Sequence, residues 1–317
     1  MPGDMCSTVT SLGKALVVDD DLATAKDLAR ILLKSVPCAV DVTSQAKEAI
    51  GLVSKTEHDL VITDLRMPGR DGLALLAEIK ATSPRCEVIV LTSFSSLSTA
   101  IDSMRLGAIE YISKNASNDW LDELIKAIRR AFRTRPSRRA PGFHRENLIY
   151  FFLQRVGIHG NTDRGLYGQF PTGLALEYAT KLLLESCAGF ETTWHRWRTT
   201  TEEHDIVCLN KAKDGFWSRQ GPIVMVETKD LSKSRPGANE RSRFEEKIRN
   251  RQGQSSVGIF VSPNGFAKTF FQLPSKTPVP GGPPPLVIAI DNEGLKDWSE
   301  AEDRLAWLAH RAVDSVF

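Results

Sequence analysis

The chain contains no apolar run approaching the roughly 18 residues that a membrane-crossing helix needs, so the sequence offers no candidate for a helical span. Its first residues, "MPGDMCSTVTSLGK", lack the basic start and apolar core of an export signal, and a cytoplasmic location is the expectation. Cysteine is sparse: Cys6, Cys38, Cys86, Cys187 and Cys208 are odd in number, widely scattered and without a Cys-x-x-Cys pair. That usage argues against a disulfide framework and against a zinc site, leaving reduced core or surface thiols. Internal repeats are absent too. What is present is an ordinary globular composition, 41% hydrophobic and 25% charged, over 317 residues, a length that suits two domains.

The net charge of +2 hides an asymmetry. Residues 1–120 hold 12 Lys and Arg against 16 Asp and Glu, whereas the remainder holds 29 against 23. The first part is acidic and the second basic, a balance that suits a polyanion for the second part, although an excess this small is weak by itself.

From Lys14 to about Arg133, short apolar runs alternate with helix-period segments, the signature of an α/β fold with a doubly wound parallel sheet. "ALVV" (15–18), "CAVDVT" (38–43), "LVIT" (60–63), "EVIVLT" (87–92) and "EYIS" (110–113) read as its five strands. Helices are predicted over 24–35 and 46–54, and a last one from Asn118 or Asp119, with Leu121, Leu124, Ile125, Ile128 and Phe132 on one face. "RRAFRTRPSRRAPG" follows, where Pro136 and Pro141 break regular structure, so the reading places a basic linker at 134–144 between domains at 13–133 and 145–317. In the second domain "TGLALEYATKLLLESCAGF" reads as a helix ending near Gly189. "EHDIVCLN", "PIVMVETK", "SVGIFVS" and "LVIAI" read as strands, "NERSRFEEKIRNRQ" as a basic helix, "PSKTPVPGGPPP" as a loop, and "SEAEDRLAWLAHRAVDSVF" as one amphipathic C-terminal helix.

Ligands of an open parallel sheet bind beyond the carboxyl ends of its strands, and there the first domain puts Asp19, Asp20, Asp64, Thr92 and Lys114. Three carboxylates converging at that edge repel one another unless a hard divalent cation such as Mg²⁺ lies between them. The hydroxyl and the ammonium then suit the oxygens of a phosphoryl group on the central aspartate. "LVVDDD", "VITDLRMPGRDG", "VLTS" and "GAIEYISK", in this order and spacing, resemble response-regulator receiver domains of flavodoxin-like fold over about residues 13–133. The resemblance implies Asp64 as phosphoacceptor, Asp19, Asp20 and Asp64 as Mg²⁺ ligands, Thr92 and Lys114 on the phosphoryl group, and Tyr111 as the aromatic switch. It also implies a sensor histidine kinase as partner and a phosphorylation-dependent homodimer through the face containing the last helix. Asn115 stands where the family usually has proline, so a trans bond is expected after Lys114.

In the second domain, alternation along "IVMVETK" puts Ile223, Met225, Glu227 and Lys229 on one face, so an acid and a base project together at the strand end. Asp205 lies on the preceding predicted strand, within reach of the same ion. Two carboxylates and a strand-end carbonyl such as that of Thr228 suit Mg²⁺ or Mn²⁺, which polarises a phosphodiester and activates water, while Lys229 orients that water or stabilises developing charge. A Glu-x-Lys at a strand end is by itself more often a surface ion pair. The ordered set "GLALE", "HDIV", "VETK", "ERSRFEEKIRNRQ", "VGIFVS" resembles the PD-(D/E)xK nucleases of the restriction-endonuclease-like α/β fold. That resemblance covers about residues 145–265 and implies Asp205 and Glu227 as metal ligands, Lys229 as catalytic lysine and Glu177 as an accessory acid. His204 stands where that family often has proline.

Lys233, Arg235, Arg241, Arg243, Lys247 and Arg249 follow this strand as candidate contacts to a DNA backbone. Trp194 and Trp197 suit stacking on bases, although tryptophan is more often a core residue. The whole reads as a two-component response regulator whose phosphorylation at Asp64 controls a Mg²⁺-dependent DNA endonuclease. The alternative is a catalytically inactive effector on the same fold, binding DNA or protein.

Overall fold

A computed structural model describes residues 12–67, 70–116, 119–133, 142–158, 172–198, 203–229, 235–251, 253–272 and 285–315. It divides into two compact units, one holding the described residues up to Leu148 and the other those from Ile149 onward. None of the described helices is long and apolar enough to cross a membrane.

The first unit contains β1 (Lys14–Val18), α1 (Leu22–Ser35), β2 (Ala39–Thr43), α2 (Ala46–Lys55) and β3 (Leu60–Thr63), then a two-residue hairpin, β4 (Arg66–Met67) and β5 (Arg70–Asp71). It continues with α3 (Gly72–Thr82), β6 (Glu87–Thr92), α4 (Leu97–Arg105), β7 (Glu110–Ser113) and α5 (Trp120–Arg133). All five main strands run parallel in the order β2-β1-β3-β6-β7. The inner strands β3 and β6 are unbroken apolar runs because helices cover both faces, and such a sheet has no polar side to write into the sequence. Helix α1 starts at Leu22, two residues before the predicted Thr24, because the Asp21 carboxylate accepts the Ala23 amide at 3.0 Å and the Thr24 hydroxyl at 2.7 Å. Leu124, Ala127, Ile128, Ala131 and Phe132 of α5 recur at helical spacing and pack into one core with β1, β3 and β6.

Helix α6 (Gly142–Val156) begins inside the stretch expected to be linker, 134–144, whose residues 134–141 lie outside the described ones. The boundary between the units falls within α6, after Leu148. Proline ends regular structure but does not stop a helix from starting immediately after it.

The second unit contains α7 (Thr172–Ser186), β8 (Phe190–Arg198), β9 (Glu203–Asn210), β10 (Ile223–Thr228), α8 (Ala238–Arg249), β11 (Val257–Val261), β12 (Leu286–Ile290), α9 (Asn292–Glu300) and α10 (Arg304–Asp314). Its sheet, ordered β12-β11-β10-β9-β8, is mixed: β10, β11 and β12 are parallel, while β9 is antiparallel to both β10 and β8. Strand β8 was not anticipated, since "FETTWHRWR" mixes polar and aromatic residues without a clean period of two. Trp194 and Trp197 lie on it, and their side chains are outside the described ones. The C-terminal helix predicted over 299–317 is α10 alone, starting at Arg304, and the first two residues of the predicted stretch end α9, which was not expected. Asp303 caps α10, its Oδ1 accepting the amides of Leu305 at 3.1 Å and Ala306 at 2.9 Å, and Ala301 is extended.

Helix α8 lies on the sheet face formed by Val207, Met225, Phe260, Val287 and Ala289, seating Phe244 and Ile248 there. Gly258 of β11 permits that approach: a Cβ at 258 would lie 2.6 Å from Cε1 of Phe244 and 2.5 Å from Cδ1 of Ile248.

Cys38, Cys86, Cys187 and Cys208 are buried and unpaired. Burial pushes the thiols of Cys86 and Cys187 up to about 12 and raises that of Cys208 as well. Since only the thiolate reacts, a thiol reagent at pH 8 is expected to leave these three untouched in the native protein and to modify them on unfolding. Prompt modification of any of them, mapped by mass spectrometry, would contradict their burial.

Candidate functional site

The first unit gathers Asp19, Asp20 and Asp64 beyond the carboxyl ends of β1 and β3, each offering an oxygen within 4.8 Å of the others. Asp19 and Asp64 are buried and Asp20 is exposed, so the cluster opens to solvent on one side. Backbone fixes two of the three: the Leu65 amide donates to Asp64 Oδ1 at 2.6 Å and the Asp21 amide to Asp19 Oδ1 at 3.1 Å. Lys114 at the end of β7 places Nζ 3.1 Å from Asp19 Oδ2. Thr92 is fully buried, its hydroxyl accepting the Phe94 amide at 3.1 Å. An all-oxygen donor set this compact, with the Lys114 ammonium beside it, fits a hard divalent cation.

Tyr111 also belongs to this edge. Its hydroxyl lies 2.8 Å from Thr99 Oγ1 and accepts from the Ser96 amide at 3.4 Å, at the start of α4. The bond after Lys114 is trans, and Asn115 donates from Nδ2 to the Ser93 carbonyl at 2.7 Å, tying the β7–α5 connection to the one after β6. The Arg66 guanidinium stands 4.2 Å over the Phe94 ring, linking the loops that follow Asp64 and Thr92. No sequence signal pointed to either tie, because each joins residues more than twenty positions apart.

Gly72 makes the pocket possible. A Cβ there would collide with the Asp64 carbonyl oxygen and lie 2.6 Å from Leu65 Cα, and backbone cannot yield as a flexible side chain does. Gly72→Ala is expected to destabilise the first unit by about 1–3 kcal/mol, as overpacking does, and to slow modification of Asp64 because that residue's own backbone moves. Thermal unfolding and a phosphorylation time course read the two effects.

In the second unit, Glu227 at the end of β10 is only 7% exposed, and both of its oxygens are occupied. Lys229 Nζ lies 2.7 Å from Oε1 and Lys247 Nζ, on α8, 2.8 Å from Oε2. Glu227 and Lys229 share the face of Met225, as alternation requires. The Lys229 amide continues the ladder to the Val261 carbonyl at 2.8 Å, fixing where the strand ends. The antiparallel register pairs Val226 with Ile206, so the next position along places Asp205 opposite Glu227. The Asp205 side chain lies outside the described ones.

A cavity of about 200 Å³ in front of this strand end is lined by Glu227, Lys229, Glu240, Arg243, Phe244, Lys247 and Phe260. Glu240 is held below the usual carboxylate range by the Gly237 amide, which donates to Oε2 at 2.9 Å. Glu177, the expected accessory acid, is buried on α7, which packs against β8, β9 and β10, and is not among the described residues lining the cavity. Of the expected phosphate contacts, Arg235 and Arg243 are exposed, while Lys233 lies outside the described residues. Arg241 and Arg249 are committed instead to buried Glu245, at 2.8 and 3.1 Å, and Arg241 also donates to the Phe270 carbonyl at 2.9 Å. Composition marks α8 as basic, but only its packing tells which charges turn inward.

A doubly wound five-stranded sheet with an aspartate cluster, a buried threonine and a lysine at its carboxyl edge defines a receiver-type signalling domain. Residues 15–129 match the family described as "Response regulator receiver domain", and this part of the chain is such a domain. Asp19, Asp20 and Asp64 are the acidic pocket at which receiver domains bind Mg²⁺. The chain is 36% identical over 111 residues to the transcriptional regulatory protein ZraR of Salmonella typhimurium, covering 35% of this chain and 25% of that protein. It is 32% identical over 124 residues to the transcriptional regulatory protein FixJ of Bradyrhizobium diazoefficiens, covering 39% of this chain and 60% of that one. A solved receiver domain from Methanospirillum hungatei matches at 26% identity and a TM-score of 0.37, covering 39% of this chain and 97% of that one. The chain thus spans a quarter to three fifths of these curated relatives' lengths.

Proposed function

We propose that this chain is a two-component response regulator in which a sensor histidine kinase phosphorylates Asp64, and that the second unit is a divalent-metal-dependent DNA endonuclease under its control. The observation that carries the nuclease reading is the buried Glu227 carboxylate gripped by Lys229 at 2.7 Å, with Asp205 at the facing register position of β9. A buried carboxylate of this kind, a backbone carbonyl at Thr228 and a facing aspartate are the donor types that Mg²⁺ or Mn²⁺ takes. Bound there, such an ion supplies a polarised phosphodiester and an activated water. Lys229 stabilises charge developing on the phosphate, and Arg243 at the rim holds a neighbouring phosphate without reading sequence. The element order α7, β8, β9, β10, α8, β11, with the acids and lysine at the same strand ends, supports this reading.

The test is supercoiled plasmid incubated with the full chain and Mg²⁺ or Mn²⁺, with and without acetyl phosphate as phosphoryl donor. Metal-dependent nicking that changes with the donor is the expected result. Binding without nicking, under every condition, would overturn the nuclease and favour a DNA-binding effector. That second reading has its own support, since the relatives matched by the first unit are named as transcriptional regulators, one of them, NtrC of Escherichia coli, as DNA-binding.

Activation works through charge. A phosphoryl group on Asp64 adds negative charge and oxygen acceptors within reach of Lys114 and Thr92, biasing a two-state switch that Tyr111 reports. The phosphorylated form pairs two copies through the face containing α5; α4, which like α5 packs on β7, exposes Leu97, Ile101 and Met104 at helical spacing. A pair of second units then cuts both strands.

A further inference from the structure

Lys247 is the residue that neither motif accounts for. It lies 18 positions beyond Lys229, on a helix rather than a strand, yet its ammonium holds the second oxygen of Glu227 at 2.8 Å. Helical spacing puts Glu240, Arg243 and Phe244, as well as Lys247, on the face of α8 that lines the cavity. Two other cations of the helix, Arg241 and Arg249, are spent on Glu245. The ammonium groups of Lys229 and Lys247 occupy both oxygens of the Glu227 carboxylate, at the place where a cation would have to bind.

We propose that Lys247 is a positioning residue that stands in for the divalent cation: it holds Oε2 of Glu227 until the cation takes that oxygen. Displaced, its ammonium stays on the cavity wall beside Arg243, where it meets the phosphate of the substrate. This rests on the nuclease reading for the identity of the substrate, but not for the exchange at Glu227. The exchange makes metal affinity depend on Lys247 in the direction opposite to that of a ligand. Removing an ordinary supporting residue weakens metal binding, whereas removing a competing cation strengthens it.

The experiment uses the full chain in an Asp20→Asn/Asp64→Asn background, so that the receiver pocket does not contribute to metal binding. Mn²⁺ is titrated calorimetrically into this protein and into its Lys247→Gln and Lys247→Arg forms, with Glu227→Gln marking loss of the site. Lys247→Gln is expected to bind Mn²⁺ about 10-fold more tightly or better, within the 10–100-fold range by which neighbours of a ligand tune metal affinity. At saturating Mn²⁺ its plasmid cleavage falls, and Lys247→Arg, which keeps the charge, restores part of it. Unchanged or weaker Mn²⁺ binding by a folded Lys247→Gln protein overturns the proposal even if the wild type cleaves DNA. Tighter binding in a protein whose wild type never cleaves sustains the exchange and removes the nuclease reading instead. Circular dichroism of each variant establishes that it folds.

Discussion

Glu227→Gln is expected to reduce metal-dependent plasmid cleavage to background at any Mg²⁺ concentration, with the protein still folded. Glutamine keeps the side-chain volume and the acceptor oxygen but removes the charge that holds both the cation and the two lysines. The choice matters, because Glu227→Ala would also open a space beneath Lys229 and Lys247, and loss of activity could then reflect loss of structure. Both lysines retain some access to solvent, 37% and 21% of their side-chain surface, so they relax into water when their partner is neutralised. Lys229→Ala is expected to leave metal binding in place and to lower turnover by about 10²–10³-fold, the cost of deleting one preorganised group facing developing charge. Gel densitometry against time, with calorimetric Mn²⁺ binding alongside, separates the two effects. Equal nicking by wild type, Glu227→Gln and Lys229→Ala would assign the cleavage to something other than this site.

Asp64→Asn is the second large effect: complete loss of phosphoryl incorporation from acetyl phosphate, and loss of the donor's influence on the second unit. Asparagine preserves the hydrogen bond from the Leu65 amide, which reaches Oδ1 at 2.6 Å, so the loop keeps its shape. It removes the nucleophilic carboxylate and one of three mutually repelling charges. Mg²⁺ binding weakens accordingly, and without Mg²⁺ the thermal stability of the first unit holds or rises, since like charges no longer crowd one edge. Phosphate-affinity electrophoresis reads the first outcome and a thermal scan with and without Mg²⁺ the second. A phosphorylated Asp64→Asn protein would move the acceptor to another residue.

The receiver was almost fully legible because its signals are local. Each strand is a short apolar run, each functional side chain sits at the carboxyl end of one, and the parallel fold itself brings those ends together. Strands β9, β10, β11 and β12 were legible for the same reason. What escaped were elements whose pattern is weak or depends on neighbours. Strand β8 is paired over most of its length with β9, which supplies the register its own sequence does not. The break between α9 and α10 turns on the Asp303 cap, which an amphipathic period running through it obscures. The start of α6 at Gly142 was hidden by the proline just before it.

Sequence alone determined which residue types stand at the strand ends, hence the acidic pocket of Asp19, Asp20 and Asp64 and the shared face of Glu227 and Lys229, because alternation along a strand is a fixed geometric rule. Tertiary structure alone decided how the basic helix divides its charges. Arg241 and Arg249 reach Glu245, and Lys247 reaches Glu227 across 20 residues of sequence. Charge says that a side chain needs a partner. The rotation of α8 about its axis, set by Phe244 and Ile248 seated against Gly258, says which partner it gets.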